Sequence, residues 1–309
     1  MMYEGNSKEV LKQFEDNYFD SIVTDPPYEL AFMGKKWDAS GIAYDIELWQ
    51  ECLRVLKPGG HLLAFGGTRT YHRMTCAIED AGFEIRDSID WVYGSGFPKS
   101  MDIGKKLDDW EGWGTALKPA HEPIVMARKP LAEKTVAANV LEWGTGGLNI
   151  DECRIGSDGG CRSSTPFNGV LNYSNTFGPN LNSQRSPKVE GLGRWPANLV
   201  HDGSEEVLQE FAKNTSTNVA RFFKECPADI PSIIYQSKTS RKERGGSTHP
   251  TIKPLSLISY LVRMVTPPGG IVLDPFLGSG TLGLAAEAEG MRWVGIDLDL
   301  TEAKRRIDV

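Results

Sequence analysis

Short apolar runs closed by glycine or proline alternate with helix-length amphipathic segments at both ends of this chain, and the middle lacks that rhythm. "FDSIVTDPP" (19–27) reads as a strand, and "AYDIELWQECLRVLKPGG" (43–60) spaces Ile46, Trp49, Cys52, Leu53 and Leu56 as a helix does. Pro58-Gly59-Gly60 is expected to stop that helix, and "HLLAFGG" (61–67) reads as a short buried strand. A helix follows over 68–82 with Thr68 or Thr70 available as N-cap, then strands over 83–93 and 122–130. After residue 250 the pattern resumes with a helix (255–266), a strand (271–276), a helix (280–290), a strand (292–299) and a last helix from 300. Strands alternating with helices predict an α/β fold, with a mostly parallel sheet covered on both faces.

Between 131 and 236 the alternation fails. Residues 156–195 are rich in Gly, Ser, Asn and Pro and poor in branched aliphatics, which predicts a long loop. Patterned pieces such as "EKTVAANVLEWG" (133–144) and "SEEVLQEFAK" (204–213) surround it. The chain therefore reads as three parts: 1–130, an insert of little regular structure over 131–236, and 237–309.

A chain of 309 residues accommodates a main domain and a smaller one. Nothing in it approaches the roughly 18 unbroken apolar residues of a membrane span. "MMYEGNSKEV" lacks the regions of a signal peptide, so a cytoplasmic location is expected. Five cysteines, an odd number without a CxxC pair, argue against a disulfide framework and a zinc ribbon. Cys153, Cys161 and His201 are too scattered to favour a metal site, and none is expected. The net charge of −7 disfavours a blanket nucleic-acid binder, yet residues 237–254 carry five bases against one acid. A basic stripe of that kind beside a pocket would meet phosphates.

Two strand ends carry chemistry. In "SIVTDPPYEL" (21–30) an acid, two prolines and a tyrosine close a strand that the prolines cannot continue, because they have no N–H to give. In "LDPFLGSGTLG" (273–283), Gly278, Gly280 and Gly283 lie between a strand and a helix, and Asp297 ends the next strand. That spacing satisfies the dinucleotide fingerprint. It equally suits another cofactor with ribose hydroxyls, since glycines admit a ligand to the backbone and the acid holds the ribose.

Asp25-Pro26-Pro27-Tyr28 together with Phe276-x-Gly278-x-Gly280 resembles the motif pair of amino-group DNA methyltransferases that use S-adenosylmethionine. "GIDLD" (295–299) is similar to that family's ribose-binding strand end, and "HPTIKP" (249–254) to the segment before its cofactor strand. Residues 94–109, 142–156 and 193–207 resemble phage-type modification methylases in particular. With the catalytic motif N-terminal and the cofactor glycines C-terminal, the order resembles the β class. This implies a Rossmann-like, circularly permuted methyltransferase fold with the target-recognition region at 131–236. Two departures stand out: Asn6 occupies a turn where relatives commonly carry an acid toward the cofactor's adenine, and the segment after Asp297 is shorter by about a turn.

The resemblance implies a role for each position. Asp25 and the Pro26 carbonyl would accept the two N–H groups of an exocyclic amine, with Pro27 stiffening the turn and Tyr28 stacking on the extrahelical base. Asp274 would meet the methionine amino end of the cofactor. Pro275, Phe276, Gly278, Gly280 and Thr281 would pack along it, Asp297 and Leu298 would adjoin the ribose, and Asn6 the adenine. Asp25 would border the cofactor as well. Thr251 and Lys253 would approach the cofactor's carboxylate, although Lys253 reads equally well as a surface lysine. Lys99, Arg241, Lys242 and Arg244 are expected on double-stranded DNA, and the loop 29–40 is placed to close over the flipped base. In that family an Asp before the prolines leans to N6 of adenine rather than N4 of cytosine. Carbon-5 methylation is disfavoured, because the chain has no Pro-Cys dipeptide. A homodimer is compatible with the resemblance, and nothing in the sequence points to a restriction partner. A silent DNA-binding homologue or a nicotinamide dehydrogenase would have no need of Asp25, Pro26 and Tyr28.

Overall fold

The computed structural model describes residues 1–30, 36–94, 96, 100–156, 193–212, 219–226 and 252–307. In chain order the elements are β1 (Met2–Glu4), α1 (Ser7–Leu11), β2 (Phe19–Thr24), α2 (Ile46–Val55), β3 (Leu56–Phe65), α3 (Tyr71–Asp80), β4 (Glu84–Val92) and β5 (His121–Arg128). There follow α4 (Val136–Trp143), β6 (Leu199–His201), α5 (Glu205–Ala212), β7 (Lys224–Glu225), α6 (Leu255–Val265), β8 (Ile271–Asp274), α7 (Thr281–Ala288), β9 (Arg292–Asp297) and α8 (Thr301–Ile307).

The nine strands of the described residues form one sheet in the order β1-β9-β8-β2-β3-β5-β4-β6-β7. Six of the eight neighbouring pairs are parallel. Only β5 runs against its neighbours β3 and β4. Apolar side chains of β2, β3 and β8 fill two cores, one on each face, so the central strands read as continuous apolar runs. One core is closed by α6 and α7, the other by α1, α2 and α3. Among the described residues, no helix is long and apolar enough to cross a membrane.

Two features depart from the sequence expectation. The second helix ends at Val55, before Pro58-Gly59-Gly60, and β3 runs straight through those residues. The Pro58 carbonyl is held by Asn139 Nδ2 at 2.8 Å and Thr145 Oγ1 at 2.6 Å, so residues 131–236 pack against the very stretch expected to end the helix. Residues 131–236 are also less detached than their composition implies. Besides α4 and α5, their described part supplies β6 and β7, which extend the sheet beyond β4.

Parallel pairing brings the functional strand ends to one edge. Ser21 and Ile22 lie beside Val272 and Leu273, Asp274 lies beside Gly295, and Glu4 lies beside Asp297. The packing under this edge leaves no slack. A Cβ added at Gly283 would stand 2.7 Å from Cζ2 of Trp293, whose Nε1 is tied to Glu287 Oε1 at 3.0 Å. Gly283→Val is therefore expected to lower unfolding free energy by about 1–3 kcal/mol, read as a lower urea midpoint at unchanged slope.

Candidate active site

The turn after β2 is fixed from three sides. The Tyr28 carbonyl accepts Thr70 Oγ1 at 2.7 Å, and the Tyr28 hydroxyl donates to Glu122 Oε2 at 2.8 Å. Lys253 Nζ donates to Asp25 Oδ2 at 2.7 Å and stands 3.4 Å from Glu122 Oε2. The Lys253 side chain is only 10% exposed, and its ammonium lies over the rings of Tyr28 and Phe65 at 5.2 and 5.0 Å. Asp25 Oδ1, by contrast, is buried and has no hydrogen-bond partner among the described residues. An ionised carboxylate oxygen shut from water without a donor is costly, so this atom marks where a donor belongs.

The electrostatics follow from burial and from the two carboxylates. Burial pushes the Tyr28 hydroxyl well above its ordinary value, and Asp25 and Glu122 add to it. Burial by itself would lower Lys253, but Asp25 and Glu122 together outweigh it and hold the ammonium charged. Thr70 is the N-cap residue of α3 without a side-chain cap bond, because its hydroxyl holds Tyr28 instead.

The glycine turn lies alongside. Asp274 is 5% exposed; its Oδ1 accepts Thr24 Oγ1 at 2.6 Å and the Phe276 amide at 3.0 Å. Burial nevertheless raises its carboxyl to about 7, and the neighbouring Asp25 and Asp297 push the same way. The turn runs through Gly278 (φ 52°) and Gly280 (φ 79°), left-handed positions that glycine adopts without strain. Gly278 N donates to Asp297 Oδ2 at 2.7 Å, and Gly5 N donates to the Asp297 carbonyl at 2.8 Å. Ser7 Oγ ties α1 to the Pro275 carbonyl at 2.5 Å. The first turn of α7 is packed under α8. A Cβ on Gly280 would stand 2.7 Å from Ile307 Cδ1, and Arg306 Nη1 bonds Ser279 and Thr281 Oγ1. The place where a dinucleotide's pyrophosphate would meet the helix N-terminus is thus taken by the protein's own side chains.

The structure brings Asp25, Pro26, Pro27, Tyr28, Lys253, Asp274, Pro275, Phe276, Gly278, Gly280, Thr281 and Asp297 to this edge. Lys253 bonds the Asp25 carboxylate, a partner other than the cofactor carboxylate expected for it. Asn6 spends its Oδ1 on the Lys8 amide as the cap of α1, and Leu298 is 69% exposed. Thr251, Lys99, Arg241, Lys242 and Arg244 lie outside the described residues. Sequence reasoning missed Glu122, Thr24 and Ser7, and saw Thr70 only as a candidate N-cap. The one trace of Glu122 in the sequence is a carboxylate just ahead of the apolar run Ile124–Ala127. Among the described residues no group of His, Cys, Asp and Glu could hold a metal ion.

Type II methyltransferase M.HindIII of Haemophilus influenzae is 26% identical over 268 residues, covering 82% of this chain. The chain spans 63% of that relative's length. The fold is shared with the PvuII DNA methyltransferase (cytosine-N4-specific), at a TM-score of 0.56 and 17% identity over 99% of this chain and 84% of that one. It is shared also with the M1.HpyAVI–SAM complex, at 0.51 and 19% over 100% and 99%. Residues 19–305 match the N6/N4 family described as DNA methylase, a span that takes in both motif-bearing strand ends, and the chain belongs to that family.

Proposed function

We propose that this protein methylates the exocyclic N6 amine of adenine in double-stranded DNA, using S-adenosylmethionine. The observation that carries the reading is the orphaned, buried Oδ1 of Asp25 at the rigid Asp-Pro-Pro-Tyr turn. The residues present fit the cofactor: a turn whose Gly278 and Gly280 carry no side chain of their own, the Asp297 carboxylate for ribose hydroxyls, and the buried Asp274 for an α-ammonium. When bound, S-adenosylmethionine supplies an electrophilic methyl group on a sulfonium.

The chain's own part is to prepare the amine. Asp25 Oδ1 and the Pro26 carbonyl accept its two N–H groups, which turns the nitrogen lone pair out of the ring and toward the methyl group. With the cofactor bound, transfer would form the N–C bond at the expense of the S–C bond, and Asp25 Oδ1, which accepts one N–H of the amine, would take the proton that the nitrogen gives up. Preorganised acceptors and tight positioning supply the acceleration. Lys253 on Oδ2 keeps Asp25 from swinging away. Tyr28 stacks on the flipped base; stacking of roughly 1–3 kcal/mol offsets a flipping cost of a few kcal/mol. Residues 131–236 carry target recognition, and Lys99, Arg241, Lys242 and Arg244 meet the DNA. A circularly permuted order explains why the first strand, β1, lies beside the last, β9. Cytoplasmic DNA is the natural substrate pool.

Adenine rather than cytosine is proposed from the Asp of the tetrad. The check is nucleoside mass spectrometry of DNA methylated by the purified protein. N6-methyladenine is expected, and N4-methylcytosine as the product would overturn the choice of base.

A further inference from the structure

The two oxygens of Asp25 have opposite fates. Oδ2 takes the Lys253 ammonium at 2.7 Å, while Oδ1 is buried with no donor among the described residues. A carboxylate turns easily about its last torsion, whose energy profile is broad and two-fold. Something must choose which oxygen faces the substrate. Lys253 chooses, but a flexible four-carbon stem needs its own anchor. Glu122 supplies one, 3.4 Å from Nζ, and its Oε2 also accepts the Tyr28 hydroxyl at 2.8 Å. Glu122 arrives from β5, which alone among the described strands runs antiparallel to its neighbours, so its first residues fall at the edge where the parallel strands end.

We propose that Glu122, acting through Lys253, is a positioning residue that turns the Asp25 carboxylate so that Oδ1 faces the substrate amine. The proposal rests on the methyl-transfer reading above and deepens it, since Glu122 itself touches no reacting atom. It also gives Lys253 a duty toward Asp25 instead of toward the cofactor's carboxylate, and the two duties are separable by experiment.

The test uses the full chain with E122Q, K253M and the double variant, each first shown to be folded by its thermal transition. E122Q is expected to slow single-turnover methyl transfer about 10-fold or more while S-adenosylmethionine affinity changes by less than about twofold. K253M is expected to be at least as slow, and adding E122Q to it to cost nothing further, as for residues that act as one unit. In cofactor-free protein, NMR of the labelled Lys253 Nζ should show its titration moving down in E122Q, since one of the two carboxylates holding it charged is gone. Additive losses in the double variant would overturn the proposal. So would a slow rate traced entirely to weaker cofactor binding, or a Lys253 titration that does not move. Wild-type protein that transfers no methyl group to DNA would sink the methylation reading instead. The Lys253 titration, read without cofactor or DNA, then still decides whether Glu122 holds the ammonium.

Discussion

Asp25→Asn should leave a folded protein that still takes up S-adenosylmethionine and transfers methyl groups about 10²–10³-fold more slowly, the usual cost of losing one preorganised partner of the reacting group. The substitution is nearly isosteric, so size does not explain the loss. Lys253 does. An ammonium has donors only and must find an acceptor, and at 2.7 Å the Asp25 side chain is its partner. The single amide oxygen of the introduced side chain would therefore turn to Lys253. Its NH2 would then fall where Oδ1 now stands buried and unpartnered. The substrate amine would meet a donor where it needs an acceptor, which is worse than meeting nothing. Single-turnover transfer of labelled methyl groups, with cofactor affinity measured by calorimetry, separates the two effects. A variant rate within about threefold of wild type would remove Asp25 from the chemistry.

The parts of this arrangement that could be read from the sequence are those with local causes. Consecutive prolines ending an apolar run forced β2 to stop at Thr24, and glycines after Asp274 announced a turn at positive φ. The helical spacing of α2 and α6 likewise needs no partner to be visible. What could not be read depends on which strands become neighbours. The apolar run of β5 marks a strand buried on both faces but says nothing of its direction or order, and β6 and β7, three and two residues long, carry no pattern at all. The reversal of β5 is the reason Glu122 reaches Tyr28, 94 residues away in sequence. Lys253 and Asp25 are 228 residues apart, and a lysine in "HPTIKP" has no local mark that separates an ion-pair partner from a cofactor ligand. Thr70 shows the same limit at short range. Its position before α3 is a capping position, yet a carbonyl from another turn takes its hydroxyl.

Cofactor affinity should depend on pH through Asp274, and Asp274→Asn should abolish that dependence. In the free protein burial raises this carboxyl from the ordinary 3.8 to about 7, so at neutral pH much of it carries a proton. An α-ammonium placed against it favours the ionised form, so binding below that value must expel the proton first. S-adenosylmethionine affinity is then expected to rise by up to about tenfold per pH unit as pH climbs toward 7, and to level off above it. The replacement amide would keep an oxygen for Thr24 Oγ1 and the Phe276 amide, the two donors that now bond Oδ1. It would lose the charge, and with it a charge-assisted bond worth roughly 1.5–3 kcal/mol, or about 10- to 150-fold in affinity near pH 7.5. Folding stability has the opposite sign. A carboxyl whose folded value lies above its unfolded value stabilises the protein most below 3.8, and that contribution is lost as pH rises through about 7. Between pH 5.5 and 7.5, therefore, wild-type protein should lose stability relative to Asp274→Asn while it gains cofactor affinity relative to it. Calorimetric affinities and urea midpoints for both proteins across that range provide the check. Parallel pH slopes in the two proteins would show that the buried proton sits elsewhere.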